Sequence, residues 1–419
     1  MSTKQRIALA VGMFLLLGVL ALLAWSYQSR QAVPAQRTAA ALVVTSAEDG
    51  GPGSLREALF VVAAARGKAS ITIKTRAIAL KTALPPLANP YGLRIVAEQP
   101  GVEIDAQALA GGPVFDVTGA NASIEGLVLR HCPAAAILVR AGYFHLHSST
   151  IESCDVGVDV AENASDPLLE HNRFANGRLG VRFAAAGRNA LVTGNTFVHN
   201  ADAGLWAVRA VADARDGSVN VRDNHFSGNR SGIVAGNVAL VVERNDFANA
   251  GEAAVHLIGS GAVIRGNHMS GGPAMGIVAE NARNAVIDGN ELDHFATYAI
   301  MVRGSADALV RANRIHNCGY GLAFVLGDAR SPSSALSNTI IEPAFDGIDV
   351  IGDSPILRNN QVLRPHALAL HVVDFQPPGG QNVSARPLLE GNNFRANEMQ
   401  SAADASHDDG QTRVTARRQ

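Results

Sequence analysis

Five side chains near the C-terminal end could do chemistry together: Asp346, Asp349, His366, His371 and Asp374. A carboxylate beside an imidazole can orient the ring and raise its pKa, the arrangement that general acid–base work uses. In a glycosidase, two carboxylates flank the scissile bond at a defined separation. Asp349 and His371 stand 22 residues apart. Whether that interval makes them neighbours depends on the elements that carry them. A surface ion pair without function is the plain alternative.

The interval matches the period of the chain. A phrase of the form G-N-x-F recurs, clearest in LVTGNTFVHNADAGLWAV (191–208), VIRGNHMSGGPAMGIVA (263–279), VIDGNELDHFATYAIMV (286–302) and LVRANRIHNCGYGLAFV (309–325). Its Asn falls at 172, 195, 224, 245, 267, 290, 313, 338 and 360, with Leu127 and Ser149 upstream and Asn392 downstream. Self-similarity at such a period means a solenoid, in which each unit buries its apolar face only by stacking on its neighbours.

Three residues before the Asn runs an aliphatic ladder (Leu169, Val192, Val221, Val242, Ile264, Ile287, Val310), and two after it a second (Phe174, Phe197, Phe226, Phe247, Met269, Leu292, Ile315). A small-residue column follows at eight or nine, for example Gly180, Gly204, Gly232, Gly276 and Gly321, and then alternating apolar pairs such as Leu322/Phe324. Period-two alternation with β-branched residues predicts strand, not helix. No helix-length segment lies between these strands, which excludes a leucine-rich repeat. The expected fold is all-β: a right-handed single-stranded parallel β-helix of about 12 or more coils of about 22 residues, over 68–397. These phrases resemble the parallel β-helix repeats of the right-handed β-helix family within the pectate-lyase-like superfamily. One such fold hosts many activities, so function has to come from a site.

Ahead of the coils, residues 7–25 (IALAVGMFLLLGVLALLAW) are uncharged and of bilayer length. Lys4 and Arg6 precede them, while Trp25 and Tyr27 sit where an aromatic belt is expected. Residues 1–27 are thus expected to be a signal-anchor with one transmembrane helix, a cleaved signal peptide being the competing reading. Residues 28–41 read as a linker, 42–67 as a strand and a capping helix, and 398–419 as a disordered tail. In the third of these, Ser54-Leu-Arg-Glu57 has capping-box spacing, and Leu55, Leu59, Val62 and Ala63 share a helical face. An open β-helix end needs such a cover. TSAEDGGPGSLREAL also resembles the entry segment of bacterial right-handed β-helix proteins. The chain is therefore expected in the inner membrane, single-pass, with its β-helix in the periplasm.

The composition is near neutral, with 17% charged residues, a net charge of −2 and no Lys after Lys81. No basic field exists for nucleic acid. Cys132, Cys154 and Cys318 each lie five residues after the reference position. The first two should stack on adjacent coils, compatible with a disulfide in an oxidising periplasm or with two buried free thiols. Neither cofactor nor metal is expected, since no His/Cys cluster with ligand spacing accompanies them. Glu243, Arg265, Asp288 and Arg311 should form an outward charge ladder. The Asn column reads as a turn ladder, because Asn tolerates a corner conformation and can bond to the next coil.

Eleven residues after the reference, an outward column reads Asp159, Arg182, Trp206, Val234, His256, Val278, Met301, Ala323, Asp349, His371. Its apolar middle implies a covering loop or partner. Trp206 is a candidate sugar-stacking platform, with packing as the alternative. At the column's end, Asp346, Asp349 and His371 are the candidate catalytic residues, with Trp206, His366 and Asp374 as substrate-binding candidates. Asp346-Gly-Ile-Asp349 resembles the N-T-D-G-I-D run of polygalacturonase-like β-helices, whose paired-Asp and G-H-G motifs have no counterpart here. The resemblance implies a carbohydrate-binding envelope protein that binds or processes a polysaccharide as lyase, hydrolase or epimerase. The rival is a non-catalytic scaffold for an envelope protein partner, similar to the β-helix accessory protein of nitrous oxide reductase maturation. A surface adhesin is the third reading, with no autotransporter barrel after the repeats to support it.

Overall fold

A computed structural model describes residues 40–184, 189–209, 218–259, 261–273, 275–328, 330–378 and 380–395. The 7–25 segment and the 398–419 tail lie outside these residues. Among the described residues no helix is long and apolar enough to cross a membrane.

Each coil contributes one short strand to each of three sheets. In one coil these are Val286–Asp288, Glu291–Phe295 and Tyr298–Arg303, and in the next Leu309–Arg311, Arg314–His316 and Tyr320–Val325. Stacked in parallel, the described coils build a first sheet of 15 strands, a second of 14 and a third of 12. Register is kept coil after coil, as Ile287 pairs with Val310, Leu292 with Ile315 and Ile300 with Leu322. The structure is therefore an all-β parallel solenoid.

Left-handed corners keep the strands short. The residue just before the reference Asn takes a left-handed φ whatever its type: Asp223 at 57°, Arg244 at 52°, Ala312 at 52°, or Gly289 at 62°. A second left-handed residue follows four positions after the Asn, for example Asn176, His199, Asn249 and Asn317. The corner conformation expected of the reference Asn thus belongs to its predecessor. A non-glycine residue there costs roughly 1–2 kcal/mol, so the corner needs support.

The Asn column supplies it. Asn290 Nδ2 donates to Ile264 O (2.9 Å) and Asn313 Oδ1 (3.0 Å). Its Oδ1 accepts from Asn267 N (3.0 Å) and Nδ2 (2.9 Å). The same pattern runs from Asn172 to Asn392. Asn200 and Asn229 begin a second ladder at the next corner.

Inside, Phe174, Phe197, Phe226 and Phe247 stack with ring centroids 5.0, 4.6 and 4.7 Å apart. Each fully buried ring contributes roughly 1.5–3 kcal/mol. This ladder and the backbone carbonyl of the next coil together crowd the small-residue column beside it. A Cβ on Gly232 would stand 2.7 Å from Phe247 Cδ1.

The N-terminal end is closed by helix α1 (Leu55–Ala63), which Ser54 caps by accepting from Glu57 N while Glu57 accepts from Gly53 N. Its inward face is Leu55, Ala58, Leu59 and Val62. Ala63, expected on that face, is exposed, and Ala58 takes its place. Cys132 and Cys154 are joined as a disulfide, their Cα atoms 4.3 Å apart on adjacent coils. The outward ladder forms as expected, with Arg265 3.2 Å from Glu243 and Arg311 2.7 Å from Asp288.

Candidate active site

Four consecutive strands of the third sheet carry the site: Tyr298–Arg303, Tyr320–Val325, Ile348–Ile351 and Leu370–Val373. Their register aligns Met301, Ala323, Asp349 and His371 in one outward column. Neighbouring strands lie about 4.8 Å apart, so Asp349 and His371 share one patch of surface. Asp346 joins them from the turn before Ile348.

His371 Nδ1 stands 3.3 Å from Asp349 Oδ1 and 3.5 Å from Asp346 Oδ2. The other oxygen of each carboxylate is held from outside the trio. Tyr298, two coils away, donates its phenol to Asp349 Oδ2 (3.0 Å), and Leu368 N donates to Asp346 Oδ1 (2.8 Å). Asp349 is only 3% exposed. Its Oδ1 is buried and makes no hydrogen bond, although His371 Nδ1 stands 3.3 Å away.

Burial, and then the charge of Asp346, push Asp349 up to about 6, against the opposing pull of the Tyr298 hydroxyl and His371. Tyr298 is raised as well, first by its own burial and then by the Asp349 charge. Burial and the two aspartates raise Tyr320 in the same way. A carboxyl group poised near neutrality can take or give a proton at physiological pH.

An aromatic ledge borders the trio. Tyr298 stacks on Tyr320 with centroids 4.6 Å apart, and Tyr320 on Phe345 at 4.9 Å. Phe345 is 49% exposed. These rings carry a sequence signal not used above: aromatics seven or eight residues after the reference on three successive coils.

The other expected residues lie apart from the trio. Trp206 pairs in register with Arg182 and Val234, six coils before Asp349, roughly 29 Å along the stack. It packs on an outer cluster of Val156, Leu179, Ala203 and Val234. His366 is exposed in the turn before the last third-sheet strand. Asp374 accepts from Ala385 N (2.8 Å) and Asn382 Nδ2 (3.2 Å), fastening the excursion that follows. The apolar middle of the outward column is not open either. Val234, Val278 and Ala323 are 6%, 4% and 0% exposed in the isolated chain, so the chain itself covers them.

A separate groove of about 510 Å³ runs along the corner between the first and second sheets, lined in part by Asp223, His225, Arg244, Asp246 and His268. Asp246 oxygens lie 2.7 and 2.9 Å from Nδ1 of His225 and His268. Burial would raise Asp246, but the two imidazoles outweigh it and hold the carboxyl low. All three side chains are about half exposed, as in a solvated charge ladder.

Solved structures share the coil geometry, three of them as follows. The A-module of a mannuronan C-5 epimerase from Azotobacter vinelandii superposes with a TM-score of 0.57 at 11% identity, over 85% of this chain and 99% of that one. The catalytic unit of a GH87 α-1,3-glucanase from Streptomyces thermodiastaticus gives 0.53 at 14%, over 86% of this chain and 69% of that one. A PL6 alginate lyase in complex with a trisaccharide gives 0.52 at 10%, over 88% and 97%. At such identities the likeness is one of fold. No curated protein matches the chain in sequence. The family model described as right handed beta helix region matches residues 101–215 and 210–362, more than half of the chain. With every strand pairing parallel and in the register those repeats require, the chain belongs to the right-handed β-helix family.

Proposed function

We propose that this protein processes a polysaccharide on the C-terminal part of the third sheet, with Asp349, Asp346 and His371 as the reacting groups. The observation that carries the reading is the buried Asp349 carboxyl, raised to about 6 and set between a second carboxylate and an imidazole. Burying such a group weakens the fold, and a site of reaction is where that cost is retained. The aromatic ledge of Tyr298, Tyr320 and Phe345 gives a sugar ring an apolar border beside the polar trio. Three fold neighbours named above act on polysaccharides, which agrees with the reading without assigning a substrate.

The spacing narrows the chemistry. The facing donor atoms of Asp346, Asp349 and His371 all lie within 4.8 Å of one another. Inverting glycosidases hold their carboxyl groups roughly 6.5–9.5 Å apart to admit a water, so this pair is too close for that mechanism. Proton transfer at a single sugar centre, as in epimerisation or β-elimination, fits it better.

The test incubates the full chain, and its Asp349→Ala variant, with a panel of neutral and acidic bacterial polysaccharides. Chain length, unsaturation and C-5 configuration are followed. Turnover that vanishes in the variant supports the proposal. Turnover unchanged in the variant, or no binding of any glycan, refutes it. The Cys132–Cys154 disulfide favours an oxidising compartment, and with the apolar 7–25 run it supports a periplasmic domain on a membrane anchor. Retention of the chain in carbonate-washed membranes checks the anchor.

A further inference from the structure

We propose that Asp346, Asp349 and His371 form a three-ligand site for a divalent ion of the zinc type, with an open fourth position. The placement stands on geometry alone. Only the chemistry the ion would supply rests on the glycan reading.

The contact distances are the first argument. A charge-assisted N–H···O bond closes to about 2.7–2.9 Å, and other His–carboxylate pairs of this protein do so: His225–Asp246 at 2.7 Å, His145–Glu170 at 2.8 Å, His268–Asp246 at 2.9 Å. His371 instead stands back from both aspartates, at 3.3 and 3.5 Å. The other pairs longer than about 2.9 Å, His131–Asp105, His316–Glu291, His316–Asp293 and His256–Glu280, use carboxylates 33%, 50%, 27% and 35% exposed, which water can serve. Asp349 and Asp346 have side chains 4% and 15% exposed. Ligand atoms held about 2.1 Å from a tetrahedral ion stand about 3.4 Å from each other. The two edges that meet at His371 match those of a coordination tetrahedron and exceed the length of a charge-assisted hydrogen bond, and the third closes within 4.8 Å.

Orientation is the second argument. Each carboxylate has one oxygen fixed by an outside donor, Tyr298 hydroxyl for Asp349 and Leu368 N for Asp346. Each turns its other oxygen towards the common point. Such outer donors aim metal ligands and sharpen their basicity. The orphan is the third argument. Asp349 Oδ1 is buried with no hydrogen-bond partner, an acceptor whose desolvation is uncompensated unless something positive meets it.

Two carboxylates and an imidazole suit zinc, which takes both donor types at similar bond lengths. Three protein ligands with a free position are the pattern of catalytic zinc, and His371, 34% exposed, leaves that position within reach of solvent. An ion there would hold both aspartates ionised and polarise a sugar oxygen as a Lewis acid.

The test titrates chelator-treated full chain in detergent with Zn²⁺ by calorimetry and with Co²⁺ by visible absorption. Wild type should bind one equivalent and show the intense bands of a tetrahedral site. His371→Ala and Asp349→Asn should each weaken binding more than tenfold. Tyr298→Phe, which removes only the outer donor, should weaken it roughly 10–100-fold. Urea midpoints of all variants confirm that they fold, and Asp349→Asn is expected to fold more stably than wild type. Absence of a stoichiometric equivalent, or binding unchanged in both ligand variants, overturns the inference. Zinc bound with no glycan processed would leave the metal site and remove the glycan reading. Glycan processed equally in chelator, with no zinc bound, would do the reverse.

Discussion

Asp349→Asn should make this protein more stable and less active, and the gain should depend on pH in a defined direction. The substitution keeps shape and leaves Tyr298 an oxygen to donate to, while removing a charge from a residue 3% exposed. Burial and the neighbouring Asp346 raise Asp349 from the ordinary 3.8 to about 6. Between those values the native state holds a proton that the unfolded chain has released. Stability from this group therefore falls as pH rises through the window, and the loss is complete above it. The difference in pKa corresponds to about 3 kcal/mol, an upper bound for what the amide recovers at pH 7.5. Well below 3.8 both states of the wild type are protonated, so the advantage should shrink to a small remnant by about pH 4 and disappear below it.

Urea unfolding of both proteins across pH 4 to 8, in chelator so that no bound ion stabilises the native state, measures this directly. Equal slopes with a midpoint gap that opens as pH rises is the expected result. The groups facing Asp349, namely Asp346, His371, Tyr298 and Tyr320, are the same in both proteins and largely cancel in the comparison. A variant less stable than wild type at pH 7.5, or a gap that ignores pH, would falsify the claim that a buried, disfavoured carboxylate sits there.

Asn290→Ala removes four buried hydrogen bonds and takes the acceptor from Asn267 N–H. It should cost about 3–5 kcal/mol, whereas Asn392→Ala, at the half-buried end of the ladder, should cost less than half of that. Equal urea midpoints for the two would contradict the ladder's role. Gly321→Ala would drive a Cβ into the Gly347 carbonyl oxygen and to 2.7 Å from Ile340 Cγ2, so a loss of about 3 kcal/mol or more is expected. Because Gly321 N also bonds to Asp346 O, activity should fall with it. Reducing the Cys132–Cys154 bridge opens a crosslink of 22 residues and should lower stability by about 3 kcal/mol. A thermal scan with and without reductant reads that change.

What the sequence revealed follows from which positions repeat by type. The Asn column and the two apolar ladders recur because a ladder hydrogen bond and a packed core each demand one chemistry on every coil. The left-handed corners stayed hidden because several residue types tolerate them: His171, Asp223, Arg244 and Ala312 all occupy one column. Asp349 and His371 were legible as partners, since equal offsets from the reference put them in register. Tyr298 was not, because its hydroxyl crosses two coils to reach Asp349. Trp206 was chosen by residue type alone, and packing on the outer apolar cluster accounts for it.

The outward column of the third sheet shows how the site is set apart. Over most of its length the covered positions are Val234, Val278 and Ala323, which satisfy burial with no polar atom to serve. On the next coil after Ala323, in equal burial, stands Asp349. An apolar residue would pack there as its neighbours do, and replacing a buried charge by an apolar group of similar volume is commonly neutral or stabilising. Stability therefore does not explain the aspartate. Nor does solubility, since the group is out of solvent. What remains is the company it keeps: a second carboxylate, an imidazole 3.3 Å away, a phenol fixing one of its oxygens, and an exposed aromatic edge alongside. The buried charge at the column's other end, Asp159, is paired with Arg182, whereas Asp349 has only this cluster around it, and that contrast is what supports the proposal of a reactive centre there.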